Sequence, residues 1–267
     1  MKMTIFRAIS LCISLIFVSL TLPNVCDAQL DMKDVVAIWL LDEGSGQDVK
    51  DSSGNDHNGS FASGKPKWVD GKFGKALSFN GQNDWVAMDA PVVVDTVDMT
   101  MGCWAKPGGT QKTWTNILSS HQEPPRRGIS FEQIQNNVNL FGIALGDGAN
   151  WAGADGFTVQ LKTDAWNHMV CVRSGDQGTW YLNGKVVTEK NFKSKDPVVA
   201  ATSNFRIGNW VLGGREFNGV VDEAFIFERA LSKDEVGSIH QRGIENAQAV
   251  TPKDKAATTW GKLKNPF

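Results

Sequence analysis

Hydrophobic residues in this chain fall into short runs separated by Gly, Asn and Asp, and the runs alternate or are continuous in the way of half-buried and fully buried strands. Residues 35–41, Val-Val-Ala-Ile-Trp-Leu-Leu, predict the first strand. Asp42-Glu-Gly-Ser-Gly46 and Asp51-Ser-Ser-Gly-Asn55 read as turns, because these residues accept left-handed geometry or bond their own backbone. Residues 76–79 predict a strand that turns at Asn80-Gly81 into another at 85–88. Strands over 98–106 and 117–120 follow, then a meander over 129–133 and 139–145, then strands at 168–173 and 179–182. Asn183-Gly184, flanked by Tyr181-Leu182 and Lys185-Val-Val187, is the strongest hairpin signal, since both central residues of a type I′ turn need positive φ. After 205–208, the stretch Gly219-Val-Val-Asp222-Glu223-Ala-Phe-Ile-Phe227 reads as a buried strand. Ser232 stands three residues before Glu235, a capping box that opens a short helix through Val236 and Ile239. Many strands with one short helix near the C-terminus predict an all-β fold of two antiparallel sheets rather than alternating α/β units.

The two ends of the chain break this pattern. Lys2 and Arg7 precede an apolar stretch over 8–22, Pro23 ends it, and Cys26-Asp27-Ala28 is a small-x-small cleavage pattern. Residues 1–28 therefore read as a signal peptide, and the apolar stretch is short beside the ~20 residues of a membrane span. Residues 29–243 form the expected domain, with no membrane span after signal cleavage. Residues 244–267 lack strand periodicity and read as a loosely held tail, with Trp260 and Phe267 placed to dock back. The expected location is secreted, periplasmic or at the cell surface. A net charge of −2 with no basic stripe argues against nucleic acid as a partner.

Of four cysteines, Cys12 and Cys26 leave with the signal. Cys103 and Cys171 remain in strand-like segments, and two cysteines in an exported protein usually pair. Two buried free thiols are the alternative.

Taken in order, several motifs resemble one family. Trp39-Leu-Leu-Asp42-Glu43-Gly-Ser-Gly, Gly71-Lys-Phe-Gly74-Lys-Ala-Leu-Ser-Phe79-Asn-Gly81 and Asn83-Asp84-Trp85-Val86 form the first half. Met99-Thr-Met-Gly-Cys-Trp104, Trp166-Asn-His168-Met-Val, Leu182-Asn-Gly184-Lys and Gly219-Val-Val-Asp222-Glu223 form the second. The sequence resembles the laminin-G-like, concanavalin A-like jelly roll in its secreted bacterial form, related to pentraxins, over residues 35–243. The resemblance implies a two-sheet antiparallel sandwich with one concave sheet and with Trp39, Trp104 and Trp166 in its interior. It also implies a disulfide between the strands that hold Cys103 and Cys171, each shifted by one residue from the family position. Finally it implies Ca²⁺ held by turn oxygens, with Asp42, Asp51, Asp84 and Asp222 as candidates and Asp51 with Asp222 preferred. The alternative is that Asp51 only closes a turn and Asp222 only accepts backbone N–H bonds.

Carbohydrate is the second candidate ligand. Trp114, Trp151 and Trp210 lie in polar, Gly-rich loops, with His121, Glu123, Arg126 and Arg127 near them in sequence. Indole faces beside planar polar groups suit a sugar ring, so Trp114, His121, Arg126, Trp151 and Trp210 are the expected ligand-binding residues. Asp222 and Glu228 are six apart and would share a face of an unbroken strand, a weak carboxylate pair for glycoside hydrolysis. The expected function is a secreted, non-enzymatic recognition module for an extracellular glycan or protein surface. A divergent polysaccharide hydrolase or lyase, or a structural or adhesive extracellular protein, are the rivals. The sequence sets neither the ligand nor the oligomeric state.

Overall fold

The computed structural model describes residues 29–109, 111–134, 138–153 and 156–248. The expected signal peptide, and Trp260 and Phe267 of the tail, lie outside the described residues. In chain order the strands are β1 (Val35–Trp39), β2 (Asp48–Val49), β3 (Gly59–Ser63), β4 (Lys67–Asp70), β5 (Lys75–Asn80), β6 (Trp85–Met88), β7 (Met99–Pro107) and β8 (Asn116–Ser119). They continue with β9 (Arg127–Gln133), β10 (Leu140–Asp147), β11 (Thr158–Gln160), β12 (Asn167–Ser174), β13 (Gln177–Leu182), β14 (Lys185–Asn191), β15 (Arg206–Ile207) and β16 (Asn218–Phe227). Helices α1 (Lys233–Arg242) and α2 (Ile244–Ala247) follow.

These strands build two antiparallel sheets. The first runs β14-β13-β12-β7-β16-β5-β4, with β1 also paired to β16, and the second runs β11-β10-β9-β8-β15-β6-β3-β2. The alternation read from the sequence decides which side chains face the other sheet. Met99, Met101, Cys103 and Ala105 of β7 meet Ile129 and Phe131 of β9 and Phe141, Ile143 and Leu145 of β10 in the main core, around Trp39 and Trp180. A smaller core lies on the outer side of the first sheet, where Val170, Phe225 and Phe227 pack under Val236, Ile239, Ile244 and Ala247.

Local signals from the sequence recur in the backbone. Asn183 and Gly184 take φ of 52° and 75°, as the β13–β14 turn requires. Ser232 caps α1 by accepting from the Glu235 N–H, and Glu235 reaches back to the cap.

Several expectations need correction. Cys103 and Cys171 are both free and buried. The β7–β12 register sets Cys103 opposite Met169 and Cys171 opposite Met101. The two cysteines are therefore diagonal neighbours, with Cβ atoms roughly 7–8 Å apart on ordinary sheet geometry, whereas a bridge needs about 3.5–4.5 Å. Ile244 and Ala247, expected in the loose tail, are wholly buried in α2, and the Leu30 N–H donates to the Ala247 carbonyl at 2.7 Å. Trp166 is half-buried rather than interior. A bulge in β16 between Asp222 and Phe225 shifts the alternation by one residue, so Asp222 and Glu228 do not share a face.

Candidate functional site

The outer side of the second sheet carries small and polar side chains. In β9 the residues opposite the core-facing Ile129 and Phe131 are Ser130 and Glu132, and in β10 the corresponding positions are Gly142, Ala144 and Gly146. Small and polar side chains here leave the surface to be finished by three stretches, residues 120–126, 148–153 and 208–217. Backbone bonds tie the first two together: the Gly148 N–H donates to the Arg126 carbonyl at 2.8 Å.

His121 sits at the centre. Its ring lies 4.1 Å from that of Trp151 and 5.7 Å from that of Trp210, centroid to centroid. The Trp210 indole N–H donates to the His121 carbonyl at 2.9 Å. Nδ1 of His121 is 3.4 Å from a Glu132 carboxylate oxygen, and Nε2 is 3.7 Å from one of Glu123. Arg215 lies over the Trp210 ring at 4.0 Å and approaches Glu132 at 3.6 Å. Burial lowers the Arg215 guanidinium from its ordinary value, against the pull of Glu132 and Glu123.

Beside this cluster opens a cleft of about 570 Å³, with Arg126, Asp147, Asn150 and Trp151 on one side and residues 193–196 on the other. That volume falls within the about 300–1,000 Å³ of small-molecule sites. Its charges have internal partners. Arg126 donates to Glu123 at 3.1 Å and holds that carboxyl below the usual range. Lys195 pairs with Asp176 at 3.0 Å. Burial pushes the Asp147 carboxyl up, but the N–H groups of Asn150 and Ala149 outweigh it and leave it lowered.

Of the expected ligand-binding residues, His121, Trp151 and Trp210 are thus in ring contact, and Arg126 lines the adjoining cleft. Trp114 stands apart. It is half-buried at φ 59°, its carbonyl accepts from the Asn116 side chain at 2.6 Å, and no ring contact joins it to the others among the described residues. Glu132 and Arg215 were not expected here. Their only sequence signals were a lone carboxylate within a strand and a lone cation after Gly213-Gly214.

Of the calcium candidates, Asp42 and Asp222 lie near each other, while Asp51 and Asp84 are each held by backbone donors. Asp51 accepts four bonds, from the Ile38, Ser53 and His57 N–H groups and the Ser53 hydroxyl. Asp84 accepts from the Lys65 and Asn80 N–H groups. Asp222 accepts from those of Lys72 and Phe73, and Asp42 from that of Lys75. A carboxylate whose lone pairs face N–H donors is poorly placed to ligate a cation, and this donor pattern does not fit Ca²⁺ at Asp51 or Asp84. Among the described residues no group of three or more His, Cys, Asp and Glu side chains could hold a metal ion.

Comparison with known proteins identifies the fold family. A laminin-G-type family model, described as the concanavalin A-like lectin/glucanases superfamily, matches residues 80–237, more than half of the chain. The chain belongs to this superfamily. Several solved structures share the sandwich. Domain 4 of AbnA, a GH43 extracellular arabinanase from Geobacillus stearothermophilus in complex with arabinotriose, aligns with a TM-score of 0.62 at 24% identity, over 78% of this chain and 98% of that domain. The binding domain of Paraclostridial Mosquitocidal Protein 1 aligns at 0.60 and 16% identity, over 78% of this chain and 52% of that one. The Botulinum Neurotoxin serotype G binding domain aligns at 0.60 and 13%, over 77% and 50%. This chain spans about half the length of the two toxin domains, and at these identities the likeness is one of fold. No curated protein matches the chain in sequence.

Proposed function

We propose that this superfamily member acts outside the cell as a carbohydrate-binding module, and that the cleft beside Trp151 takes a neutral glycan. One observation carries the reading: an indole backed by His121 forms the wall of a polar cleft whose charges are already paired within the protein. A ring face in van der Waals contact with an indole, its hydroxyls turned toward Asn150, Asp147 and Ser194, meets both kinds of surface. An anionic ligand would have to displace Glu123 from Arg126 or Asp176 from Lys195. The arabinotriose bound to the arabinanase domain of like fold supports an oligosaccharide as the ligand. Recognition in this reading runs through side chains.

A glycan array that includes arabino-oligosaccharides tests this. Binding to at least one neutral glycan is expected, weakened about tenfold or more by Trp151→Ala, the scale of a contact hot spot. An array without any binding would overturn the reading in favour of an adhesive or structural role. Release of reducing sugar from arabinan, laminarin, alginate or xylan would replace it with a hydrolase or lyase.

A further inference from the structure

Beneath the aromatic cluster, the second sheet carries polar atoms that make no hydrogen bond, although His121 Nδ1 and Glu132 face each other at 3.4 Å and Arg215 lies 3.6 Å from Glu132. Asn116 Oδ1, Ser130 Oγ, Glu132 Oε2 and both ring nitrogens of His121 are buried without a hydrogen-bond partner. Asn116 and Ser130 are wholly buried, and His121 is 4% exposed. They form one floor. Asn116 and Glu132 are register partners, Ser130 lies on the same face two residues before Glu132, and Glu132 approaches His121 Nδ1 at 3.4 Å. Native proteins pair nearly all of their buried polar atoms, and each one left unpaired costs about 1–3 kcal/mol. So many on one face, next to an open cleft, points to a site whose partners come from a bound molecule.

We propose that this floor is a deeper subsite of the same cleft, and that it receives a hydroxyl-bearing group at the end of a neutral glycan. The inference rests on the glycan-binding reading of the cleft. The donor and acceptor inventory selects the ligand. Asn116 Oδ1 and Glu132 accept, the His121 ring supplies an N–H donor, and Ser130 does both. A sugar hydroxyl likewise donates and accepts. An anion would meet the Glu132 carboxylate, and a cation would meet the Arg215 guanidinium 3.6 Å from it. Trp151 joins the two, since it lines the cleft and its ring lies 4.1 Å from that of His121. Trp210 and Arg215 close the far side, which suits a chain end better than a chain passing through.

The test is calorimetric titration of arabinotriose, or of the neutral trisaccharide that the array selects in its place, into the wild-type protein and the Ser130→Ala, Glu132→Gln and Trp151→Ala variants. Circular dichroism melts accompany each variant. Loss of one buried hydrogen bond weakens binding by about tenfold in each floor variant. A deoxy analogue lacking the inserted hydroxyl should bind the wild type and the floor variants equally. Floor variants that fold and bind like the wild type would overturn the subsite, leaving water as its occupant, while a loss at Trp151→Ala would still uphold the cleft. A loss of equal size for the deoxy analogue would assign Ser130 and Glu132 a purely structural role and also overturn it. Should the floor variants not fold, the His121 imidazole ¹⁵N resonances of the wild type decide: they shift on glycan addition if the floor is occupied, and stay fixed if it is not. No binding by the wild type would remove the cleft reading itself.

Discussion

Asp222 offers the clearest thermodynamic test of the packing on the other sheet. Its side chain is wholly buried, with one oxygen accepting from the Lys72 and Phe73 N–H groups and the other without a partner. Glu223 follows at φ 44°, 4% exposed, accepting from the Ile244 N–H at 3.1 Å. Burial, opposed by those N–H bonds and reinforced by Asp42, raises the Asp222 carboxyl from 3.8 to about 7. Burial and the neighbouring Asp222 raise Glu223 from 4.5 to about 8. A carboxyl raised in the folded state favours folding while it is protonated, below its unfolded pKa, and that contribution is lost as pH rises through the folded pKa. Replacing Asp222→Asn keeps an oxygen for the two N–H donors and removes the charge. Each pKa unit is worth about 1.4 kcal/mol, so the variant should gain on the wild type by up to roughly 4–5 kcal/mol between about pH 4 and pH 7, then level off. Urea unfolding of both proteins at half-unit pH steps gives this difference curve, in which the opposing titration of the buried His168 cancels. A difference that is flat with pH, or that falls as pH rises, would refute the reasoning.

Three other outcomes follow from single observations. In Gly184→Ala, φ of 75° and a new methyl 3.0 Å from His240 Nδ1 should destabilise the protein by about 1–2 kcal/mol in chemical denaturation. Alkylation followed by mass spectrometry should find Cys103 and Cys171 unreactive in the native protein and both labelled without reductant after unfolding, because buried thiols offset in register stay free. Melting temperature should be unchanged by added calcium or EDTA, since the Asp51 and Asp84 carboxylates are occupied by backbone donors; a clear rise with calcium would contradict that.

The features legible in the sequence were those set within a few residues. Asn183-Gly184 and Ser232 with Glu235 fix their own backbone, and alternation along β7, β9 and β10 shows which side meets the core. Features set by pairing between distant segments were not legible. β4 (Lys67–Asp70) and β3 (Gly59–Ser63) carry little apolar pattern and exist because β5 and β6 offer them an edge. The position of Cys103 relative to Cys171 is a matter of register, and two residues of offset leave no mark in composition. The bulge at Asp222 undoes the parity that linked it to Glu228. The site divides in the same way. Tryptophans in Gly-rich loops stand out as candidates, and Trp151 and Trp210 do meet around His121. Glu132 and Arg215 join them only because the 208–217 connection folds back over β9, and Trp114 is held apart by its own backbone.

The most direct measurement is an NMR titration that follows the indole N–H resonances of the ten tryptophans while arabinotriose, or the neutral glycan chosen by the array, is added. The Trp151 signal should move in proportion to occupancy, with Trp210 responding and Trp39, Trp68 and Trp180 unchanged. A saturating glycan that leaves the Trp151 signal still would contradict the assignment of the site.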